Sequence, residues 1–182
     1  SDFSHPCQAL ADLYTVREKF KSLKNITLAY VGDGNNVCNS LLFICAKLGV
    51  NMKIGVPKGY EPDEAVLVDS KDIAEKNNAT VKLFNNAFDA VKEADVIYTD
   101  VWASMGQEEE AKARKEIFKV FQVNANLVKL ANENVILMHC LPAHRGEEIT
   151  SDVLDSHNSV VFDQAENRMH VQKAVLIKLL KG

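Results

Sequence analysis

Short apolar runs rich in β-branched residues alternate along the chain with longer stretches whose apolar positions recur every three or four residues. Ile26-Thr27-Leu28-Ala29-Tyr30-Val31 is of the first kind and stops at Gly32-Asp33-Gly34, which predicts a strand followed by a turn. Val37, Leu41, Cys45 and Leu48, with Leu42 and Ile44 beside them, give a broad apolar helical face that opens near Asn36 and closes at Gly49. The pattern then repeats. Further strands are predicted near Met52–Val56, Thr80–Phe84, Val96–Val101, Val135–His139 and Val160–Phe162, with a first helix from about Gln8 to Phe20 and a last one from Glu166 to Leu180. The strands are continuously apolar, as strands buried on both faces must be. This predicts an α/β fold in a single domain: a doubly wound parallel sheet of about five strands with helices on both faces, Rossmann-like. Residues 1–20 form a linking helix, 21–165 the α/β core and 166–182 a C-terminal helix. Gly55 to Pro62 is a turn-rich loop, and Gln107 to Arg114 is a charged stretch with good helix propensity.

Composition narrows the function classes. A chain of 182 residues that is 47% hydrophobic can bury one substantial core without a second domain. Twenty-one basic residues against 25 acidic ones leave a net charge of −4 with no basic stripe, which argues against nucleic acid as a partner. The longest apolar stretches, such as Leu41 to Ala46, fall far short of the roughly 18 residues a membrane span needs. No membrane partner is expected. Cys7, Cys38, Cys45 and Cys140 show no C-x-x-C spacing, and Cys38 and Cys45 lie on one helical face, so they read as free thiols in a reducing compartment. The start, Ser-Asp-Phe-Ser-His-Pro, has neither an initiator methionine nor a signal peptide's apolar core, and is expected to lie inside a longer chain.

Gly32-Asp33-Gly34 after the first strand invites a dinucleotide reading, because glycines there let a backbone approach a pyrophosphate. The third glycine position is Val37, however, and the second strand ends Gly55-Val56-Pro57 with no acid for a ribose hydroxyl. No phosphate-loop motif occurs either. No cofactor is expected. What remains at the sheet mouth is Asp33, Asn35 and Asn36, where Asn36 is either a helix N-cap or an amide donor to a carboxylate.

Two other strand ends carry chemistry. Asp100 follows Val96-Ile97-Tyr98-Thr99 and opens Asp-Val-Trp-Ala-Ser-Met-Gly, while Val135 to His139 leads into Cys140-Leu141-Pro142. Asn36, Asp100 and Cys140 are thus expected at the C-terminal edge of the sheet, where parallel sheets place ligands. A zwitterionic amino acid needs an anion for its ammonium and donors for its carboxylate, and Asp100, Ser104, Met105 and Asn36 can supply both. Asp100 taken alone could equally cap a loop. His139 reads as a packed core imidazole. His144, His157 and His170 lack ligand-like spacing, so no metal site is expected.

These segments, together with His5-Pro6-Cys7-Gln8 and Ala165-Glu166-Asn167-Arg168, resemble the ornithine carbamoyltransferase family, specifically its C-terminal, amino-acid-binding half. The resemblance spans essentially the whole chain. It implies transfer of a carbamoyl group from carbamoyl phosphate to the side-chain amine of L-ornithine, giving citrulline and phosphate. It implies ornithine binding by Asn36, Asp100, Ser104 and Met105, and carbamoyl phosphate contacts by His5, Gln8, Cys140, Leu141 and Arg168. Asp100, Cys140 and Arg168 carry the catalytic expectation, with Cys140 near the carbamoyl group and not a covalent nucleophile. The family's Ser-x-Arg-Thr-Arg phosphate grip, which belongs to an N-terminal domain, is absent, and the four dispersed arginines cannot replace it. The chain alone is therefore expected to lack turnover. By the same resemblance the full-length enzyme is a homotrimer or a multiple of trimers, cytoplasmic and prokaryotic-looking, with the mitochondrial matrix less favoured. Two alternatives stay open: a carbamoyltransferase for another amine such as putrescine, and a non-catalytic amino-acid-binding module. An aspartate-specific relative would need cationic groups that Ser-Met-Gly and an acidic Asp100 do not provide.

Overall fold

The computed structural model describes residues 1–103 and 111–181. Five parallel strands, β1 (Thr27–Val31), β2 (Asn51–Gly55), β3 (Val81–Phe84), β4 (Val96–Thr99) and β5 (Ile136–His139), form one sheet in the order β3-β2-β1-β4-β5. Both faces are covered, as their apolar runs require. Leu28, Tyr30, Met52, Ile54, Tyr98 and Met138 point into one core, and Ala29, Val31, Ile97 and Leu137 into the other. The first core is closed by α1 (Pro6–Phe20), α2 (Asn36–Leu48) and α3 (Glu64–Lys76). The second is closed by the shorter α4 (Ala87–Val91), α6 (Ala125–Val128) and α7 (Ser151–Leu154). Helix α5 (Ala111–Phe118) follows β4, and α8 (Val161–Lys181) ends the described chain.

One expected strand is a helix. Val160–Phe162 does not join the sheet: the preceding segment makes a single bridge, Leu137 to Ser159, and α8 begins at Val161, five residues before the predicted start. Gln164 N–H already closes a helical turn on the Val160 carbonyl at 2.9 Å. A run of three apolar residues cannot by itself distinguish a strand from the buried start of a helix. Here Val160 packs into the first core and Val161 into the second, while Phe162 is exposed.

Helix α8 lies against α1, and polar groups set their alignment. Gln164 Nε2 donates to Asp12 Oδ1 at 2.7 Å, and Asn167 Nδ2 donates to Thr15 Oγ1 at 3.0 Å and to Glu18 Oε2 at 2.5 Å. Gln164, Asp12 and Thr15 are at most 1% exposed, so these bonds have no water to replace them. Beyond Asn167, α8 buries nothing, and Leu176, Ile177, Leu179 and Leu180 are all more than half exposed.

At the tip of β1 the chain makes a close approach that only glycine allows. A Cβ on Gly34 would lie 2.3 Å from Pro62 N and 2.7 Å from the Tyr60 carbonyl oxygen, both backbone atoms. Gly34 N–H donates to that same carbonyl at 2.9 Å, drawing the loop before α3 against the mouth of the sheet. Gly34→Ala should therefore displace residues 60–62 and cost about 1–3 kcal/mol, the scale of an overpacked site. Urea unfolding of the two proteins measures it.

Candidate functional site

Strands β1 and β4 are neighbours, and the chain leads from β1 to β2 on one side and from β4 to β5 on the other. The crevice beyond their C-terminal ends is the topological switch point at which open α/β sheets bind ligands. Asn36, Asp100 and Cys140 all stand there, immediately after β1's turn, β4 and β5.

Asn35 ties these ends together. Its Oδ1 accepts from Val37 N–H at 3.0 Å and Cys38 N–H at 3.1 Å, which makes it the N-cap of α2, and its Nδ2 donates to Asp100 Oδ2 at 2.7 Å. Asn36, by contrast, is the first helical residue, and its amide donates to the Ser1 carbonyl at 2.7 Å. The capping alternative raised for Asn36 thus belongs to its neighbour. Asp100 Oδ1 accepts from its adjoining Val101 N–H at 2.8 Å and from the Cys140 thiol at 2.9 Å. Burial, and then the Asp100 carboxylate, push the Cys140 thiol well above its ordinary range, so it is a proton donor and not a thiolate. Burial also raises Cys38 and Cys45, which are free and fully enclosed.

Around this centre the other candidates divide. Leu141 and Arg168 line an open groove of about 830 Å³ that starts at Cys140 and extends along α8 to Lys173. Among the described residues, Arg168 and Lys173 are the two cations that line it. His5 occupies the N-cap position of α1 without a side-chain capping bond. Burial, then the fields of Arg168 and the terminal amine, lower its pKa against the opposing pull of Asp100, leaving a neutral imidazole at neutral pH. Gln8 instead turns inward: it is 1% exposed, and its Nε2 donates to Asp12 Oδ1 at 2.8 Å. Ser104 and Met105 lie outside the described residues.

Arg114, which sequence reasoning did not single out, joins two of these segments. Arg114 pairs with Asp33, donates through Nε to the Trp102 carbonyl, and lies 4.8 Å from the Tyr60 ring centroid and 5.3 Å from that of Phe118. It clamps the β1 turn to the segment after β4. Burial pushes the Asp33 carboxyl up to about 6, opposed by Arg114 and by the Gly34 N–H. Asp12 is the buried hub behind the site, accepting from both Gln8 and Gln164, and Gln164 Oε1 in turn accepts from His139 N–H at 3.0 Å. His139 is 1% exposed, as expected of a packed imidazole, and contacts Glu148.

Asp100, His139 and Cys140 present ligand atoms within 4.8 Å of one another, as do His144, Glu147 and Glu148. In the first group both His139 nitrogens are engaged, one with Glu148 and one with Leu141 N–H, and the thiol is protonated. In the second, Glu148 Oε1 already receives His139 and His144 N–H. Both groups read as hydrogen-bonded structure.

Two predictions follow from this geometry. Asn35→Ala removes the α2 cap and the Asp100 tether together and should cost about 1–2 kcal/mol, whereas Asn36→Ala should stay within about 0.5 kcal/mol; chemical denaturation distinguishes them. The second concerns pH. Burial raises the Asp12 carboxyl from 3.8 to about 7, against the hydrogen bonds of Gln8, Gln164 and Tyr98 and the field of Arg168. The folded chain therefore holds this proton more tightly than the unfolded one, a contribution fully present below the ordinary value and lost as pH rises through about 7. The stability of the native sequence relative to Asp12→Asn should fall between pH 4 and pH 7 in urea titrations, and a pH-independent difference would contradict it.

Comparison with known proteins gives the site a family. Residues 24–179 match the family described as aspartate/ornithine carbamoyltransferase, Asp/Orn binding domain. The ornithine carbamoyltransferases of Pyrococcus horikoshii and Prochlorococcus marinus are each 57% identical over 100% of this chain. The chain spans 57% of the length of each of those relatives. The solved ornithine carbamoyltransferase of Pyrococcus furiosus superposes with a TM-score of 0.93 at 58% identity, covering 97% of this chain and 56% of that one. The anabolic enzyme of Campylobacter jejuni gives 0.93 at 37% identity, covering 100% and 60%. A parallel sheet whose switch point joins Asn35, Asp100 and Cys140, matched over most of its length by that profile, belongs to the aspartate/ornithine carbamoyltransferase family as its amino-acid-binding domain.

Proposed function

We propose that this chain is the ornithine-binding half of an ornithine carbamoyltransferase, which transfers the carbamoyl group of carbamoyl phosphate to the side-chain amine of L-ornithine. The observation that carries this reading is the Asp100 carboxylate at the switch point, bonded to the Cys140 thiol and bordered by a groove bearing Arg168 and Lys173. An acid on one side suits an amino acid's ammonium, and cations on the other suit a leaving phosphate. In this scheme Asp100 pairs with the α-ammonium, with Asn36, Ser104 and Met105 holding the carboxylate. Cys140, as a neutral donor, and the Leu141 carbonyl steady the carbamoyl group and the attacking nitrogen. The neutral His5 imidazole donates to the carbamoyl oxygen, and Arg168 offsets charge on the phosphate as the bond to carbon breaks. Gln8, enclosed against Asp12, orients this end of α1 and reaches the carbamoyl group only by rotating its side chain outward.

The remaining phosphate contacts come from a second domain, and the exposed apolar residues Leu176, Ile177, Leu179 and Leu180 of α8, with Leu10 and Tyr14 of α1, favour contact with it. Trimeric assembly would run mainly through that domain. No helix of the described residues is long and apolar enough to cross a membrane, which fits the cytoplasmic location we propose.

Calorimetric titration of the chain with ornithine, norvaline, aspartate and putrescine tests the ligand class. Weak binding of ornithine and norvaline is expected, and preference for putrescine would overturn the reading. The chain alone should form no citrulline. In the protein carrying both halves, Asp100→Asn should cost about 2–4 kcal/mol in kcat/KM for ornithine, the scale for truncating one partner of a buried charge pair, with carbamoyl phosphate affinity little changed. An unchanged kcat/KM would remove Asp100 from the site.

A further inference from the structure

Leu141 adopts φ +56°, a left-handed conformation that a branched side chain disfavours and that persists only where its surroundings impose it. It is also the residue before Pro142, a position normally confined to extended backbone. Its surroundings do impose it. Leu141 N–H donates to His139 Nδ1 at 2.8 Å, so that nitrogen carries the lone pair and the ring proton must sit on Nε2. Nε2 faces Glu148 Oε1 at 3.1 Å, and the same oxygen accepts His144 N–H at 2.6 Å. Both side chains of the His139–Glu148 pair are fully buried. From these contacts we infer that Glu148 is a positioning residue: through His139 it fixes the backbone of Cys140 and Leu141, the two residues that line the groove beside Arg168.

The chain of cause runs in one direction. Gln164 Oε1 holds the His139 backbone N–H, which anchors the residue but leaves its ring free to choose a tautomer. Glu148 makes that choice, because a carboxylate at Nε2 requires a proton there and so exposes Nδ1 to Leu141. With no acceptor at Nε2 the ring could carry its proton on Nδ1, two donors would then face each other, and Leu141 would lose the contact that holds its turn.

The inference deepens the carbamoyl-transfer reading and rests on it for its kinetic consequence, but the tautomer can be measured independently. Nitrogen-15 spectra of this chain should show His139 as a neutral Nε2-protonated imidazole, with the Leu141 amide protected from solvent exchange. Glu148→Leu should mix the tautomers and expose that amide. In the protein carrying both halves it should lower kcat about 10²-fold, the scale of a small misplacement at a reaction centre, while leaving KM for either substrate nearly unchanged. Glu148→Gln keeps an oxygen for Nε2–H and should restore most of kcat. A purely structural Glu148 predicts a lower melting temperature with kcat of the folded molecules intact, and that result would overturn the proposal. An Nδ1-protonated ring in the native sequence would overturn it too, even if Glu148→Leu does not fold. A native enzyme that formed no citrulline would fail the carbamoyl-transfer reading, while the tautomer and amide exchange would still decide the role of Glu148.

Discussion

One amide side chain holds the site together. Asn35 spends its oxygen on the first N–H groups of α2 and its nitrogen on Asp100, so the start of a helix and the end of a strand 65 residues later share one anchor. Tyr30 reinforces it by sharing its hydroxyl proton between the Asp33 carbonyl and Asn35. A buried carboxylate needs hydrogen-bond donors in place of the water it has lost. With the Asn35 amide, the Val101 N–H and the Cys140 thiol around it, the carboxylate is set in place before any ligand arrives. The cost of ordering it is met in folding and not in binding.

The sheet was legible because its strands are buried on both sides, which leaves an apolar run no alternative use. Residues 27–31, 51–55, 81–84, 96–99 and 136–139 all fall within predicted strands or one residue outside them. The exception, Val160–Phe162, failed where a run serves two cores at once and then turns into a helix. Site residues at strand ends, such as Asp100 and Cys140, could be found because a strand's end is itself visible in sequence. Others could not. Arg114 reaches Asp33 across 81 residues, and Glu148 meets His139 only because the chain folds back after Pro142. Asn35 and Asn36 are chemically identical neighbours, and only backbone geometry decides which one caps. Gln8 carried a family motif yet points into the protein, because Asp12 one helical turn later offers it a buried partner.

Polarity is concentrated on the two flanks of the groove in different forms. Asp33 and Asp100 stand on the β1–β4 side, the first paired with Arg114 and the second hydrogen-bonded by the neutral Asn35 amide, while Arg168 and Lys173 stand on the α8 side. A ligand bearing both signs of charge therefore meets an oriented field instead of a uniform one. Cys140 sits between the two as a neutral thiol, able to lend a proton in a hydrogen bond without offering a nucleophile.

The pairing of α1 with α8 has a consequence for how the molecule is made. Gln164 and Asn167 reach Asp12 and Thr15 across 152 residues, so these two groups of α1, bonded within the helix to Gln8 and to the Ala11 carbonyl, gain their remaining partners only when α8 has been synthesised. Contacts this distant in sequence close late and slowly, since the entropy of a long loop must be met before they return anything. Until then Asp12, Thr15 and Gln8 belong to an incomplete layer in which water does the work of the missing amides. Docking of α8 is thus the event that seals this face, and a chain truncated before Gln164 would carry a solvated acid where the finished fold has a buried one.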